Sequence, residues 1–173
     1  MDLRLEMLTE DHARQICYWK YEGIYSIYNF PDWDTLKQQR WGITIEEKRK
    51  NEFTAVIDKS NNLCGYIRFV ENKDFVLVWL GLKPSLCGQG LGNIIMELLK
   101  NECKKRHGSK KVTLEVRSFN KRAIKCYKKA SFEITDVYQK DTLIGSDEFI
   151  MSDPPFFSWQ PKTFLPKKKD FYN

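Results

Sequence analysis

Leu82-Lys83-Pro84-Ser85-Leu86-Cys87-Gly88-Gln89-Gly90-Leu91-Gly92 is the stretch on which the fold turns. Before it, Phe75-Val76-Leu77-Val78-Trp79-Leu80 is a nearly continuous apolar run, the pattern of a central strand covered on both faces. After it, Leu91, Ile94, Ile95, Leu98 and Leu99 recur at helical spacing, and Gly108 provides a stop. A glycine-rich turn between a buried strand and a long helix exposes unpaired backbone N–H groups at the positive end of the helix dipole. Glycine also lets a phosphate approach the backbone, so the turn reads as a pyrophosphate cradle. Glycines that serve only a tight turn are the alternative. The spacing is G-x-G-x-G, not the dinucleotide G-x-G-x-x-G, and the G-K-[ST] of a P-loop is missing, which disfavours nicotinamide enzymes and nucleoside triphosphatases.

Outward from this core, Leu3, Leu5 and Met7 alternate as a strand, and Thr9-Glu10-Asp11 has the cap and acidic first turn of a helix running to about Tyr21. Ile24 to Trp33 reads as an irregular aromatic loop, followed by a short helix from about Asp34 to Trp41. Phe53–Ile57 and Leu63–Val70 read as two antiparallel strands joined by a polar loop. Val112, Leu114 and Val116 mark another strand, residues 120–129 a short helix, and 132–138 and 148–151 two further strands. No internal repeat and no linker interrupts residues 1–151. The tail from Ser152 gathers four of the six prolines with Phe156, Phe157, Trp159 and Phe164. Expected is one α/β domain over residues 1–151, with a mixed sheet of six to seven strands flanked by about four helices, and an irregular tail over 152–173.

Composition fits that reading. At 173 residues, 42% hydrophobic and 30% charged, the chain matches a single soluble globular unit rather than a disordered one. No run approaches the length of a membrane span and no export signal opens the chain, so a cytoplasmic protein without a membrane partner is expected. Five cysteines without a C-x-x-C pair and two histidines without ligand spacing argue against a disulfide framework, and no metal is expected. Net charge is +6, but residues 100–129 hold twelve Lys or Arg against Glu102 and Glu115. This segment suits an anionic partner or, equally, a solvated basic helix face.

The glycine turn, and a second stretch from Leu114-Glu115-Val116-Arg117 through Asn120, Ala123 and Tyr127 to Phe132, resemble the GNAT superfamily of acyl-CoA-dependent N-acetyltransferases. Gly90 and Gly92 match the first motif, [RQ]-x-x-G-x-[GA], and Asn120, Ala123 and Tyr127 the N-x-x-A-x-x-x-Y of the second. Two positions depart from the pattern. Cys87 stands where an Arg or Gln is usual, which removes one phosphate contact, and Ser131 stands where Gly is usual.

The resemblance implies a sheet whose two central parallel strands splay to admit the acyl-CoA arm. Acetyl would pass from acetyl-CoA to a primary amine, on a small molecule or a protein, by direct attack in a ternary complex. Implied cofactor contacts are Leu80, Leu82, Cys87, Gly88, Gln89, Gly90, Leu91, Gly92, Asn120 and Tyr127. Attack by a neutral amine expels a thiolate of pKa near 8.5, and a tyrosine near 10 is a fitting proton donor. Tyr127 occupies the family's general-acid position; by spacing alone it would be a packed aromatic. No carboxylate lies in the strand where many relatives carry the base, leaving Glu115, Glu22, Asp32 and Asp34 as candidates acting through water. Acceptor contacts are expected from the loop bearing Tyr25, Tyr28 and Trp33. A homodimer is compatible with this reading. The rival readings are a non-catalytic acyl-CoA sensor and an RNA- or ribosome-binding module; the latter lacks any nucleic-acid motif, and a nucleic-acid partner is not expected.

Overall fold

Seven strands, β1 (Leu3–Met7), β2 (Phe53–Asp58), β3 (Leu63–Glu71), β4 (Phe75–Leu82), β5 (Lys111–Arg117), β6 (Glu133–Thr142) and β7 (Gly145–Asp153), form one mixed sheet in a computed structural model that describes residues 2–142 and 145–154. Their order is β1-β2-β3-β4-β5-β7-β6. The apolar run at 75–82 is thus the central strand, as its pattern predicts. β1 pairs antiparallel with β2 and β2 with β3; β4 and β5 are parallel; β7 pairs antiparallel with both β5 and β6.

The parallel ladder is short. Its register runs from Phe75↔Lys111 to Val78↔Leu114, while β4 continues to Leu82 and β5 to Arg117. The expected splay between the two central parallel strands therefore begins after Val78 and Leu114. Among the described residues there are five α-helices, α1 (Glu10–Cys17), α2 (Trp33–Gln38), α3 (Glu46–Glu52), α4 (Gly92–His107) and α5 (Lys121–Lys129), with 3-10 turns at Gly23–Tyr28, Gly42–Thr44 and Pro84–Leu86.

The chain clusters into two compact units. One takes in the residues up to Arg68 together with Leu80–Leu91; the other takes in Phe69–Trp79 and the residues from Gly92 onward. In the first, the Thr9 hydroxyl accepts from His12 N–H at 3.1 Å and starts α1. Ala13, Ile16 and Cys17 of α1 are buried in a core with Leu36, Ile43, Phe53, Ala55 and Ile57. α1 ends at Cys17 and not near Tyr21. The N–H groups of Tyr18 and Trp19 turn to carbonyls three residues back, at 3.1 and 3.0 Å, and this tightening lets Trp19 pack on Tyr66 with ring centroids 6.2 Å apart. The loop expected to be irregular contains a six-residue 3-10 helix, entered through Gly23 at φ +58°. α2 starts one residue earlier than expected because Asp32 caps it, accepting from Thr35 N–H at 2.9 Å. α3 was not expected: its sequence, EEKRKNE, has no apolar stripe, and its only buried side chain is Arg49, which donates to the Ile43 carbonyl at 3.1 Å.

In the second unit, α4 spans 16 residues and buries Ile95, Met96, Leu99 and Cys103. It packs against α5. α5 ends in a Schellman turn: Phe132 N–H reaches the Tyr127 carbonyl at 2.9 Å and Ser131 N–H the Lys128 carbonyl at 3.0 Å. Ser131 adopts φ +66°, so a serine takes the left-handed conformation that the usual glycine favours. β7 runs through Asp153. Ser152 and Asp153 are buried in the sheet, and Asp153 accepts from Thr113 at 2.7 Å and pairs with Lys111 at 2.5 Å. The rest of the expected tail, from residue 155, lies outside the described residues.

Candidate active site

β4 delivers the chain to the glycine turn with a definite orientation. Lys83 N–H bonds to the Cys64 carbonyl of β3 at 2.8 Å. Because backbone polar groups alternate sides along a strand, those of Leu80 and Leu82 point away from β3. This is the side on which the parallel ladder has already ended. The Leu82 carbonyl accepts the Tyr21 hydroxyl at 2.8 Å. Tyr21 is a residue that sequence reasoning passed over, since nothing local couples positions 61 apart.

Beyond β4 the turn is braced from within. Leu86 and Cys87 donate their N–H groups to Lys83 and Pro84, and the Gln89 side chain donates to the Ser85 carbonyl at 2.8 Å. The half-buried Cys87 thiol lies 3.7 Å from the carbonyls of both Leu82 and Lys83. Gln89 and Cys87 thus shape the loop. Gly88 and Gly90 hold φ of +82° and +78°, and a Cβ at either would meet nothing within 4 Å. Among the described residues, the N–H groups of Gly88, Gln89, Gly90 and Leu91 have no backbone acceptor. Leu91 is buried, and the turn leads in sequence into α4, whose first turn carries the positive end of its dipole. Exposed backbone donors beside open space, at a helix start, fit a phosphate chain.

Gly92 serves a different purpose from the two glycines before it. A Cβ there would lie 2.6 Å from Cys126 Sγ, so the glycine sets how closely α4 and α5 approach. α5 carries Asn120 and Tyr127. Asn120 is the helix cap, its Oδ1 accepting from Ala123 N–H at 3.1 Å. Tyr127 is buried, its ring 6.5 Å from that of Phe132, the apolar pair that accompanies the Schellman turn. Lys121, Lys125, Lys128 and Lys129 are exposed on α5, and among the described residues none has an acidic partner. An open depression of about 520 Å³ beside this turn, lined by Lys128, Ser131, Phe132, Glu133 and Ile134, contains none of the candidate residues.

The candidate bases differ sharply in surroundings. Glu115 is buried and both its oxygens are engaged. Lys140 donates to each at 2.8 Å, Trp79 Nε1 to Oε2 at 3.2 Å, and the Tyr138 hydroxyl to Oε1. Lys140 is itself buried and sits 5.1 Å from the Phe149 ring centre. Asp32 is committed to capping α2, and the hydrogen bonds from Thr35 hold its carboxyl below the usual range. Glu22 and Asp34 are exposed.

In the acceptor loop, Asn29 bridges Tyr21, its Oδ1 accepting the Tyr21 N–H at 2.6 Å and its Nδ2 donating to the Tyr21 carbonyl at 3.2 Å. Tyr28 meets Tyr21 edge to face at 6.4 Å. Tyr28 is thereby brought to the residue that touches the end of β4. Tyr25 is half-buried. Trp33, the third residue expected to contact the acceptor, lies in the core with the Arg14 guanidinium 4.6 Å from its ring centre.

The profile of the Acetyltransferase (GNAT) family matches residues 11–132. The chain belongs to this family. As a GNAT protein it is an N-acetyltransferase. Among curated proteins no sequence matches. Solved structures share the fold at low identity. A chimera of the spermidine N-acetyltransferase SpeG from Vibrio cholerae and hSSAT is 16% identical, with 92% of this chain and 100% of that chain covered and a TM-score of 0.72. The ribosomal-protein-S18-alanine N-acetyltransferase from Escherichia coli is 16% identical over 95% and 100% of the two chains, with a TM-score of 0.62. A dodecameric spermidine N-acetyltransferase from Vibrio cholerae is 16% identical over 87% and 92%, with a TM-score of 0.66. Among the described residues of this GNAT chain, no helix is long and apolar enough to cross a membrane.

Proposed function

We propose that this GNAT protein transfers an acetyl group from acetyl-CoA to a primary amine by direct attack within a ternary complex. The observation that carries the reading is the open turn at Gly88–Leu91, whose N–H groups lack backbone acceptors at the start of α4. It would hold the pyrophosphate without the missing Arg or Gln at position 87. The thioester supplies an activated acyl group and a thiol leaving group. Backbone groups of Leu80 and the N–H of Leu82, which point away from β3, would bind the pantetheine and polarise the thioester carbonyl. The Leu82 carbonyl is already taken by Tyr21.

In this reading Tyr127 would supply the proton to the departing thiolate; its place in α5 and its packing beside Phe132 support the assignment. Both oxygens of Glu115 are engaged by Lys140, Trp79 and Tyr138. With Asp32 capping α2, the uncommitted acids are Glu22 and Asp34, both in solvent, so the amine sheds its proton through water. Tyr25 and Tyr28 are the acceptor contacts of this reading. Polyamines and protein α-amines are the acceptor classes to screen, since solved GNAT structures of this shape are named for each.

Calorimetric titration with acetyl-CoA, and with CoA lacking its 3′-phosphate, tests the cradle. Saturable binding weakened by loss of that phosphate is expected. Release of free thiol with spermidine or an alanine-terminated peptide then reports turnover. Tyr127→Phe should lower kcat by at least about a hundredfold with acetyl-CoA affinity unchanged, in line with general-acid contributions. A chain that does not bind acetyl-CoA refutes the reading, and full turnover in Tyr127→Phe removes the tyrosine from it.

A further inference from the structure

The point where β4 and β5 part is closed by a side-chain bridge. Had the parallel register continued beyond Val78↔Leu114, its next pair would have been Trp79 and Glu115. Backbone pairing stops there, and the side chains of those two residues take over, Trp79 Nε1 donating to Glu115 Oε2 at 3.2 Å. Both lie on one face of the sheet because side chains alternate along each strand. The bridge is stiff. Lys140 engages both carboxylate oxygens, Tyr138 adds a third donor, and Tyr138 stacks on Phe149 with centroids 6.2 Å apart and planes at 18°. Four hydrogen bonds from three donors on two oxygens leave Glu115 no rotamer in which Trp79 could be carried elsewhere without stranding a buried charge.

This cluster lies at the base of the fork that the proposed function assigns to the acyl arm, and the inference rests on that assignment. An indole tied to Glu115 at that point would crowd carbons beyond the thioester carbonyl. We infer that Trp79, held by Glu115, is the residue that limits the acyl donor to short chains, with acetyl-CoA accepted and butyryl-CoA rejected. Glu115 acts as a positioning residue. Its buried charge is explained by the need to fix a tryptophan that would otherwise rotate, and Lys140 by the need to neutralise that charge where water is excluded.

The test needs no acceptor. Affinities of the full chain for free CoA, acetyl-CoA, propionyl-CoA and butyryl-CoA are measured by calorimetry for the wild type, Trp79→Ala and Trp79→Phe. Wild type should bind butyryl-CoA at least about tenfold more weakly than acetyl-CoA. Each methylene that gains a buried berth is worth about fourfold in affinity, so Trp79→Ala should shift the butyryl-to-acetyl ratio by about tenfold toward butyryl. Trp79→Phe keeps a ring but loses the N–H that anchors it, and should give a partial shift with the fold retained. Were the effect one of ring bulk alone, Phe would preserve the wild-type ratio, which counts against the bridge. Equal wild-type affinity for the acyl donors, or an unchanged ratio in Trp79→Ala and Trp79→Phe with free CoA still bound, overturns the inference and leaves the acetyltransferase reading intact. Failure to bind even free CoA overturns both.

Discussion

Replacing Gly92 by Ala tests the packing that holds the Tyr127 helix against the start of α4. The added Cβ would lie 2.6 Å from Cys126 Sγ and 3.6 Å from Cys126 Cβ. The second distance is an ordinary contact; the first requires the sulfur or the helix to move by about an ångström, and overpacking of this kind costs about 1–3 kcal/mol. Gly92 is not in the left-handed region, so Ala is conformationally allowed and returns up to about 1 kcal/mol of helix propensity. The net expectation is a loss of about 1–2 kcal/mol. Cys126→Ala alone removes a half-buried sulfur and should cost about 1 kcal/mol, near the value of one buried methylene. In the double variant the clash disappears with the sulfur, so its stability should fall within about 1 kcal/mol of wild type, leaving a coupling of about 2 kcal/mol. Urea unfolding followed by far-UV circular dichroism, with m-values compared across the four proteins, measures each term. Additive single effects, or a Gly92→Ala protein as stable as wild type, would refute the claim that this glycine exists for helix contact.

Other substitutions probe separate parts of the fold. Ser131→Gly relieves a left-handed backbone at φ +66° and should stabilise by about 0.5–1 kcal/mol, raising Tm by about 2–4 °C in calorimetry. Lys140→Met strands the buried Glu115 carboxylate and should cost about 3–5 kcal/mol, most of which Lys140→Met combined with Glu115→Leu recovers in urea titrations. Burial pushes the Cys103 thiol up to about 12 from a model-peptide value of 9.0. The unfolded chain therefore releases this proton first as pH rises, so stability is full below pH 9 and declines between 9 and 12, by up to about 1.4 kcal/mol per pH unit. Cys103→Val should flatten that part of the profile in unfolding experiments from pH 8 to 11, and an unchanged slope would show that Cys103 is not its source.

Much of the sheet is legible in the sequence because hydrophobic pattern is local information. The run at 75–82, the alternation at 112–116 and the helical spacing from Leu91 to Leu99 each report the burial of one element regardless of its partners. The α3 segment fails on the same principle. EEKRKNE buries a single arginine, and its helix is held by the Arg49 bonds to Ile43 and Glu10. The early end of α1 was equally hidden, since what stops it is the packing of Trp19 on Tyr66, a residue far along the chain.

Within the site, the legible residues are those whose role is set by backbone conformation. Gly88 and Gly90 show in the sequence because their positive φ and open approach leave little choice of residue. Asn120 shows because a cap is read from its neighbours. Tyr21, Trp79 and Lys140 do not show, for their partners are one or two atoms on a strand distant in sequence: the Leu82 carbonyl, one oxygen of Glu115, and both oxygens of Glu115. Glu115 is legible in the sequence only as one of four carboxylates, with Glu22, Asp32 and Asp34, that could serve through a water. What the sequence does not show is its company: Lys140, Tyr138 and Trp79 between them engage both of its oxygens, and these three donors hold the indole where the backbone pairing of β4 and β5 ends.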